Sequence, residues 1–217
     1  GPDSHNRDCP LDSRMPTGLR FAANPANSSR GAQPCGAPLD VARVVTRWVN
    51  TFPQERRLQM SSWIDELFYK SLDYVLNACE YVIDTTMVGT VMSGLSQISG
   101  ATSRQEFICG LIRGIGGNLT LAARCALARQ VFEWAGERPP DMSNPLDCYG
   151  DGAGFSSFFN SSGGGDAYIA PKDIGESAVV STVTTQRTMK AMEAWIDNME
   201  PFILVGPEGY GKSMIIN

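Results

Sequence analysis

The chain has 217 residues, room for one domain or two small ones. Hydrophobic residues make up 42%, charged residues only 19%, and the formal net charge is −5. That acidic balance argues against a broad grip on nucleic acid or an anionic membrane, because both are held by Lys and Arg neutralising phosphates. No apolar run reaches the roughly 18 residues that a membrane helix needs.

Six cysteines stand at 9, 35, 79, 109, 125 and 148, with no Cys-x-x-Cys pair, and the single His5 lies far from any ligand set. The pattern points away from zinc and toward scattered thiols in a reducing compartment. Cys79, Cys109 and Cys125 fall in helical patterns, where a reduced Cys packs as a small hydrophobe. Asn-x-Ser/Thr sequons occur at Asn27, Asn118 and Asn160; without a signal peptide before them they read as chance. The chain opens on Gly1 and closes four residues past a nucleotide motif, which reads as part of something longer.

In chain order, residues 1–38 are rich in Pro, Gly, Asn and Ser and read as irregular or disordered. Residues 39–49 carry apolar side chains at helical spacing, and Thr51-Phe52-Pro53 interrupts them. The strongest helical signal predicts a helix over 62–82, opened by a capping box at Ser62-x-x-Asp65, with Trp63, Ile64, Leu67, Phe68, Leu72, Val75, Leu76, Cys79 and Val82 as its stripe. A second helix fits 85–98, before Gly100. A third opens at the full capping box Ser103-x-x-Glu106 and ends at Gly116-Gly117, and a fourth fits 120–135, stopped by Gly136 and Pro139-Pro140. Four helices with short connections make a bundle, and their aromatic and apolar residues read as its core.

Residues 142–177 read as a flexible Gly/Ser-rich link, since Gly150-Asp-Gly-Ala-Gly and the 161–165 run offer little to pack. Order is expected to return at Ala178-Val179-Val180, followed by a helix over 185–199 with Met189, Met192, Trp195 and Ile196 on one face. Phe202 to Val205 is a continuous apolar run and predicts a strand buried on both faces.

Directly after it, Gly206-Pro207-Glu208-Gly209-Tyr210-Gly211-Lys212-Ser213 matches G-x-x-x-x-G-K-[ST] in full, and Met214 continues into a helical start. Glycines permit positive φ and leave room for phosphate oxygens. Successive N–H groups then line a concave anion site, completed by a helix N-terminus. Lys212 would reach the β- and γ-phosphates, and the Ser213 hydroxyl would meet Mg²⁺. The implied cofactors are ATP or ADP with Mg²⁺. Turnover also needs an acidic strand end for the metal and a residue that places water. Neither follows here, so this stretch is not expected to hydrolyse ATP by itself, and no catalytic residue is assigned.

A helical bundle, a link and a new P-loop resemble two consecutive AAA+ modules. The wording is similar to dynein heavy chains, and within them to the cytoplasmic dynein 2 (intraflagellar transport) type. It is carried by Trp63-Ile64 with Phe68, by residues 80–96, by Phe107-Ile108, by residues 111–119, and by Val131-Phe132-x-Trp134. Pro139-Pro140-Asp141, Gln186-Arg187, Trp195 and residues 201–209 complete it. The resemblance implies an α/β AAA+ P-loop NTPase fold, with residues 39–141 as the helical lid of the second module. Residues 142–217 would begin the large subdomain of the third, whose nucleotide is regulatory while the first module drives the stroke. It places Val179 and Val180 where the adenine is contacted. The implied partners are neighbouring AAA+ modules of the same heavy chain and, through the whole protein, the microtubule and the dynein light and intermediate chains. The implied location is the cytoplasm, cytoskeleton and cilium or flagellum. A non-motor AAA+ ATPase, or a structural segment with a vestigial P-loop, are the competing readings.

Overall fold

The computed structural model describes residues 40–158, 182–209 and 211–216. The expectations for residues 1–38 and for the Gly-rich run 161–165 lie outside them. Helix α1 spans Val41–Val49; Asp40 Oδ1 accepts the Arg43 N–H at 3.0 Å, and Val41, Val45 and Val49 face inward.

The helix expected over 62–82 differs at both ends. It begins as α2, Gln54–Trp63, with Pro53 at its N-cap, and passes through a π-helical turn, Ile64–Phe68, into α3, Tyr69–Ala78. Ser62 is therefore an exposed interior residue and caps nothing. Pro53 starts the helix instead, because a fixed φ suits a first turn that has no use for its N–H. The exposed Gln54, Glu55, Leu58 and Gln59 of α2 hide this start from any apolar periodicity. The wide turn brings three successive residues, Leu67, Phe68 and Tyr69, into the interior. At the far end Cys79 is extended (ψ 148°), and residues 80–83 pair with 118–120. Thr120 N–H donates to Glu80 O at 3.1 Å, Val82 N–H to Asn118 O at 2.9 Å, and the Asn118 amide clasps Ile83 at both its N–H and its C=O. Val82 thus lies 55% exposed rather than in a helical stripe.

Helix α4, Met87–Ile98, is capped by Thr86, which accepts the Gly89 N–H at 3.1 Å. Helix α5, Arg104–Gly116, is capped by Ser103, which accepts the Glu106 N–H. Glu106 reaches back, but to the Thr102 N–H at 2.7 Å, one residue before the cap. Helix α6, Leu121–Ala135, starts at Thr120 and ends at Gly136 in the left-handed conformation, φ 66°. Phe68, Phe107, Phe132, Leu72, Leu95 and Leu111 are fully buried where these helices meet, each contributing about 1.5–3 kcal/mol of burial.

The closest approach is between α4 and α5. A Cβ on Gly114 would lie 2.6 Å from Ser93 O and 2.8 Å from Gly94 Cα, and one on Gly110 would lie 2.7 Å from Gln97 O. The two backbones touch with no side chain between them.

Arginines finish the helix ends. Arg56 donates to Ser99 O at 2.6 Å and Ala101 O at 2.9 Å after α4; Arg124 donates to Gly116 O, Gly117 O and Leu119 O after α5; Arg57 donates to Asn50 O and Phe52 O after α1. Arg104 forms a two-pronged pair with Glu66, both bonds 2.7 Å, and also donates to Ala135 O, tying the π turn, α5 and the end of α6.

The link expected over 142–177 is partly a packed hairpin. Strand β1, Cys148–Gly150, pairs antiparallel with β2, Phe155–Ser157, in the register Tyr149 opposite Ser156. Asp151 closes the turn by accepting the Ala153 and Gly154 N–H groups at 3.0 and 2.8 Å. A Cβ on Gly150 would collide with the Gln105–Glu106 backbone, so the glycine read as a source of mobility is what lets β1 lie against α5. Helix α7, Val183–Asp197, capped by Thr182, follows, and α8, Lys212–Ile216, closes the described chain.

Gly114→Ala should destabilise the bundle by about 1–3 kcal/mol in urea unfolding, even though Ala favours a helix by about 1 kcal/mol. Gly100→Ala, where an added Cβ meets nothing within 4 Å, should stay within about 0.5 kcal/mol of the parent. The Arg104 hydrogen bond holds the Glu66 carboxyl below its ordinary 4.5. Its contribution is therefore complete above about pH 4.5 and fades as pH falls through the lowered folded-state value. Glu66→Gln should cost about 0.5–1 kcal/mol at pH 7, screened because the pair is partly exposed, and nothing near pH 2, as read by denaturant titration at both pH values.

Candidate nucleotide-binding site

Helix α7 carries the chain from the bundle to the motif. Arg187 Nη1 meets Asp147 Oδ1 at 2.7 Å beside the hairpin, and the buried Gln97 of α4 donates to Ala191 O at 2.7 Å. The Ser96 hydroxyl bonds the Glu200 carboxylate, and Asn198 reaches Ser99 Oγ at 3.5 Å. Met192 is buried against the bundle, whereas Met189 and Ile196, expected on the same packed face, are 52% and 56% exposed. Among these contacts Arg187 and Ser96 belong to the wording singled out in sequence; Asp147 and Gln97 lie outside it.

The run Phe202 to Val205 is not a paired strand. Ile203 is 88% and Val205 52% exposed, while Phe202 stacks on Trp195 with ring centroids 5.9 Å apart. A strand buried on both faces needs neighbouring strands for its N–H and C=O groups and layers over its side chains. The described residues supply neither.

The loop then turns. Gly209 (φ 78°) and Gly211 (φ 74°) both take left-handed backbone angles that side chains disfavour, and a Cβ at Gly209 would meet only open space. Lys212 opens α8 and folds back across the loop, with Nζ donating to Gly206 O at 2.8 Å and Pro207 O at 2.7 Å. Glu208, Gly209, Gly211, Lys212, Ser213 and Met214 line a shallow cavity of about 390 Å³. Ser213 is exposed at its edge, and Met214 N–H bonds back to Gly211 O. Glu208, one of the lining residues, adds a carboxylate that the motif does not require. Tyr210, Val179 and Val180 lie outside the described residues. Among the described residues no cluster of three His, Cys, Asp or Glu could hold a metal by itself. No helix among them is long and apolar enough to cross a membrane.

Residues 40–135 match the family of the cytoplasmic dynein 2 heavy chain 1 AAA+ ATPase domain. Cytoplasmic dynein 2 heavy chain 1 of Homo sapiens is 37% identical over 189 residues, covering 82% of this chain and 4% of that protein. The protein of the same name from Chlamydomonas reinhardtii is 30% identical over 212 residues, covering 92% of this chain and 4% of its own length. The chain belongs to the cytoplasmic dynein 2 heavy chains. It spans about 4% of the length of these relatives.

In this dynein heavy-chain sequence the family match covers α1 to α6 and stops before the hairpin and the P-loop. Much of the shared wording is core: Ile64, Phe68, Phe107, Ile108, Val131 and Phe132 are all buried. Replacing both Arg187 and Gln97 by Ala should free α7 while the bundle stays folded. In hydrogen exchange, amides of 183–197 should exchange at least tenfold faster and those of α5 unchanged. Equal acceleration in both would show that α7 is not held through these two contacts.

Proposed function

We propose that residues 39–141 form the helical lid of one AAA+ module of a dynein 2 heavy chain and that residues 142–217 begin the large subdomain of the next. In this reading residues 206–213 bind the phosphates of ATP or ADP. The observation that carries it is the loop itself: Gly209 and Gly211 with positive φ, and the Lys212 ammonium folded onto the loop carbonyls. The same ammonium would exchange those neutral acceptors for phosphate oxygens, a stronger charge-assisted partner. Ser213 would turn its exposed hydroxyl to Mg²⁺, and Val179 and Val180 would line the adenine. The bound metal ion would neutralise phosphate charge; the chain's own residues bind and orient. The whole protein's role follows the family: a microtubule motor of cilia and flagella serving retrograde intraflagellar transport, with neighbouring modules and the light and intermediate chains as partners.

The competing reading is a structural segment with a vestigial loop, favoured by the Lys212 bonds that already close the loop. Titrating a fluorescent ATP analogue into the dynein heavy-chain motor domain that carries this sequence separates the two. Lys212→Ala should weaken this site about 10–100-fold, from loss of one charge-assisted contact, and lower the bound stoichiometry by one. Unchanged affinity and stoichiometry would establish the structural reading. The 217-residue chain by itself should show no Lys212-dependent ATP turnover in a phosphate-release assay.

A further inference from the structure

Helix α7 ends in a turn that its own residues do not favour. The Met199 N–H donates to Ile196 O at 3.0 Å and the Glu200 N–H to Trp195 O at 2.7 Å. These are the paired bonds that close a helix when the residue after its C-cap is left-handed. That residue is Met199, at φ 52° and almost fully exposed. Glycine is the ordinary choice there, because the Cβ of any other residue crowds the following carbonyl oxygen. Among the described residues Met199 alone takes a positive φ without being glycine. The next position in such a turn is commonly apolar and packs back on the helix; here it is the exposed Glu200.

Tertiary partners replace both missing signals. The Ser96 hydroxyl donates to the Glu200 carboxylate, and the Asn198 amide donates to Ser99 Oγ at 3.5 Å. Ser96 lies in the last turn of α4 and Ser99 is its C-cap, with Ser99 Oγ donating to Ser96 O at 2.7 Å. This end of α4 is itself fixed, since Arg56 donates to Ser99 O and Ala101 O. The turn is thus formed against α4 rather than by local preference. Beyond Pro201, Phe202 stacks on Trp195 with ring planes 21° apart, so the chain leaves the turn in a direction set by α7. Gly206 follows Glu200 by six residues, at most about 20 Å of extended chain. The 202–205 run between them has no strand partner among the described residues that would fix its course instead.

We propose that Ser96 and Glu200 are positioning residues for the phosphate loop: their bond makes the left-handed turn at Met199 depend on α4, and the helical bundle thereby sets the nucleotide affinity of residues 206–213. This rests on the reading of that loop as a phosphate site. Neither side chain lines the loop's cavity, so both act through the course of residues 200–206. With the clasp made, the approach to the loop is fixed before nucleotide arrives, and binding does not have to order it. With the clasp broken, Met199 is free to leave the left-handed region, and binding must restore it. The coupling is reciprocal: nucleotide tightens the turn by the same factor as the turn tightens nucleotide.

The test uses the dynein heavy-chain motor domain that carries this sequence and a fluorescent ATP analogue, with this site read as the binding lost in Lys212→Ala. Ser96→Ala should weaken that component about three- to tenfold, the loss of one hydrogen bond to a charged group. Ser96→Thr, which keeps the hydroxyl, should stay within about twofold of the parent. Adding Met199→Gly to Ser96→Ala should bring the affinity back to within about twofold of the parent, because glycine forms the turn without help from α4. In hydrogen exchange, amides of 198–200 should exchange faster in Ser96→Ala, those of α5 should not change, and Met199→Gly should slow the former again. Unchanged affinity in Ser96→Ala, an equal loss in Ser96→Thr, or no rescue by Met199→Gly would each overturn the proposal and leave the Lys212-dependent site in place. A parent without Lys212-dependent binding would overturn the reading of the loop and the proposal with it.

Discussion

The backbone contact between α4 and α5 is the constraint on which the other elements depend. Gly110 and Gly114 let the helices meet carbonyl to Cα, and Gly94 on α4 matches them, with a Cβ there 2.9 Å from Ile115 and 3.1 Å from Phe68. Each helix then offers its remaining surface to something else. Helix α4 presents Ser96, Gln97 and Ser99 to α7 and its following turn, while α5 presents its first two turns to β1. Were the two helices separated by a side-chain layer, neither the α7 contacts nor the hairpin seat would stand at their present spacing.

The polar interactions follow from the same geometry. Helices packed this closely end inside the structure, and their last carbonyls cannot all reach water. Arg56, Arg57, Arg104 and Arg124 supply long donors that satisfy those carbonyls from neighbouring elements. Arg56 and Arg104, whose carbonyl partners lie 31 to 45 residues away, join helices as well as finishing them. The chain thereby connects a well-packed bundle, through α7, to the G-x-x-x-x-G-K-S loop, and Ile203 and Val205 on the approach to it are exposed.

Local signals were legible where local physics decides. The start of α5 at Ser103, the start of α6 at Thr120 and its end at Gly136 follow from capping chemistry, and Leu67, Phe68, Leu72 and Val75 from apolar spacing. The misplaced start at Ser62 shows the limit: an S-x-x-D pattern is weak against a Pro53 first turn followed by good helix formers. The end at Ala78 was decided by pairing of 80–83 with 118–120, about 35 residues away, where Asn118 acts as a clasp. Gly150 was misread because a missing side chain signals flexibility in isolation and close approach in a packed setting.

By itself the sequence determined most of the helical segments, the wording shared with dynein heavy chains, and the G-x-x-x-x-G-K-S spacing, because caps, periodicity and glycine torsions act within a few residues. Only the tertiary structure decided that 148–157 is a docked hairpin, that α7 is held by Gln97 and Asp147, and that 202–205 has no strand partner among the described residues. Those outcomes depend on which surfaces remain after α4 and α5 have closed on each other, and no short window of residues contains that information.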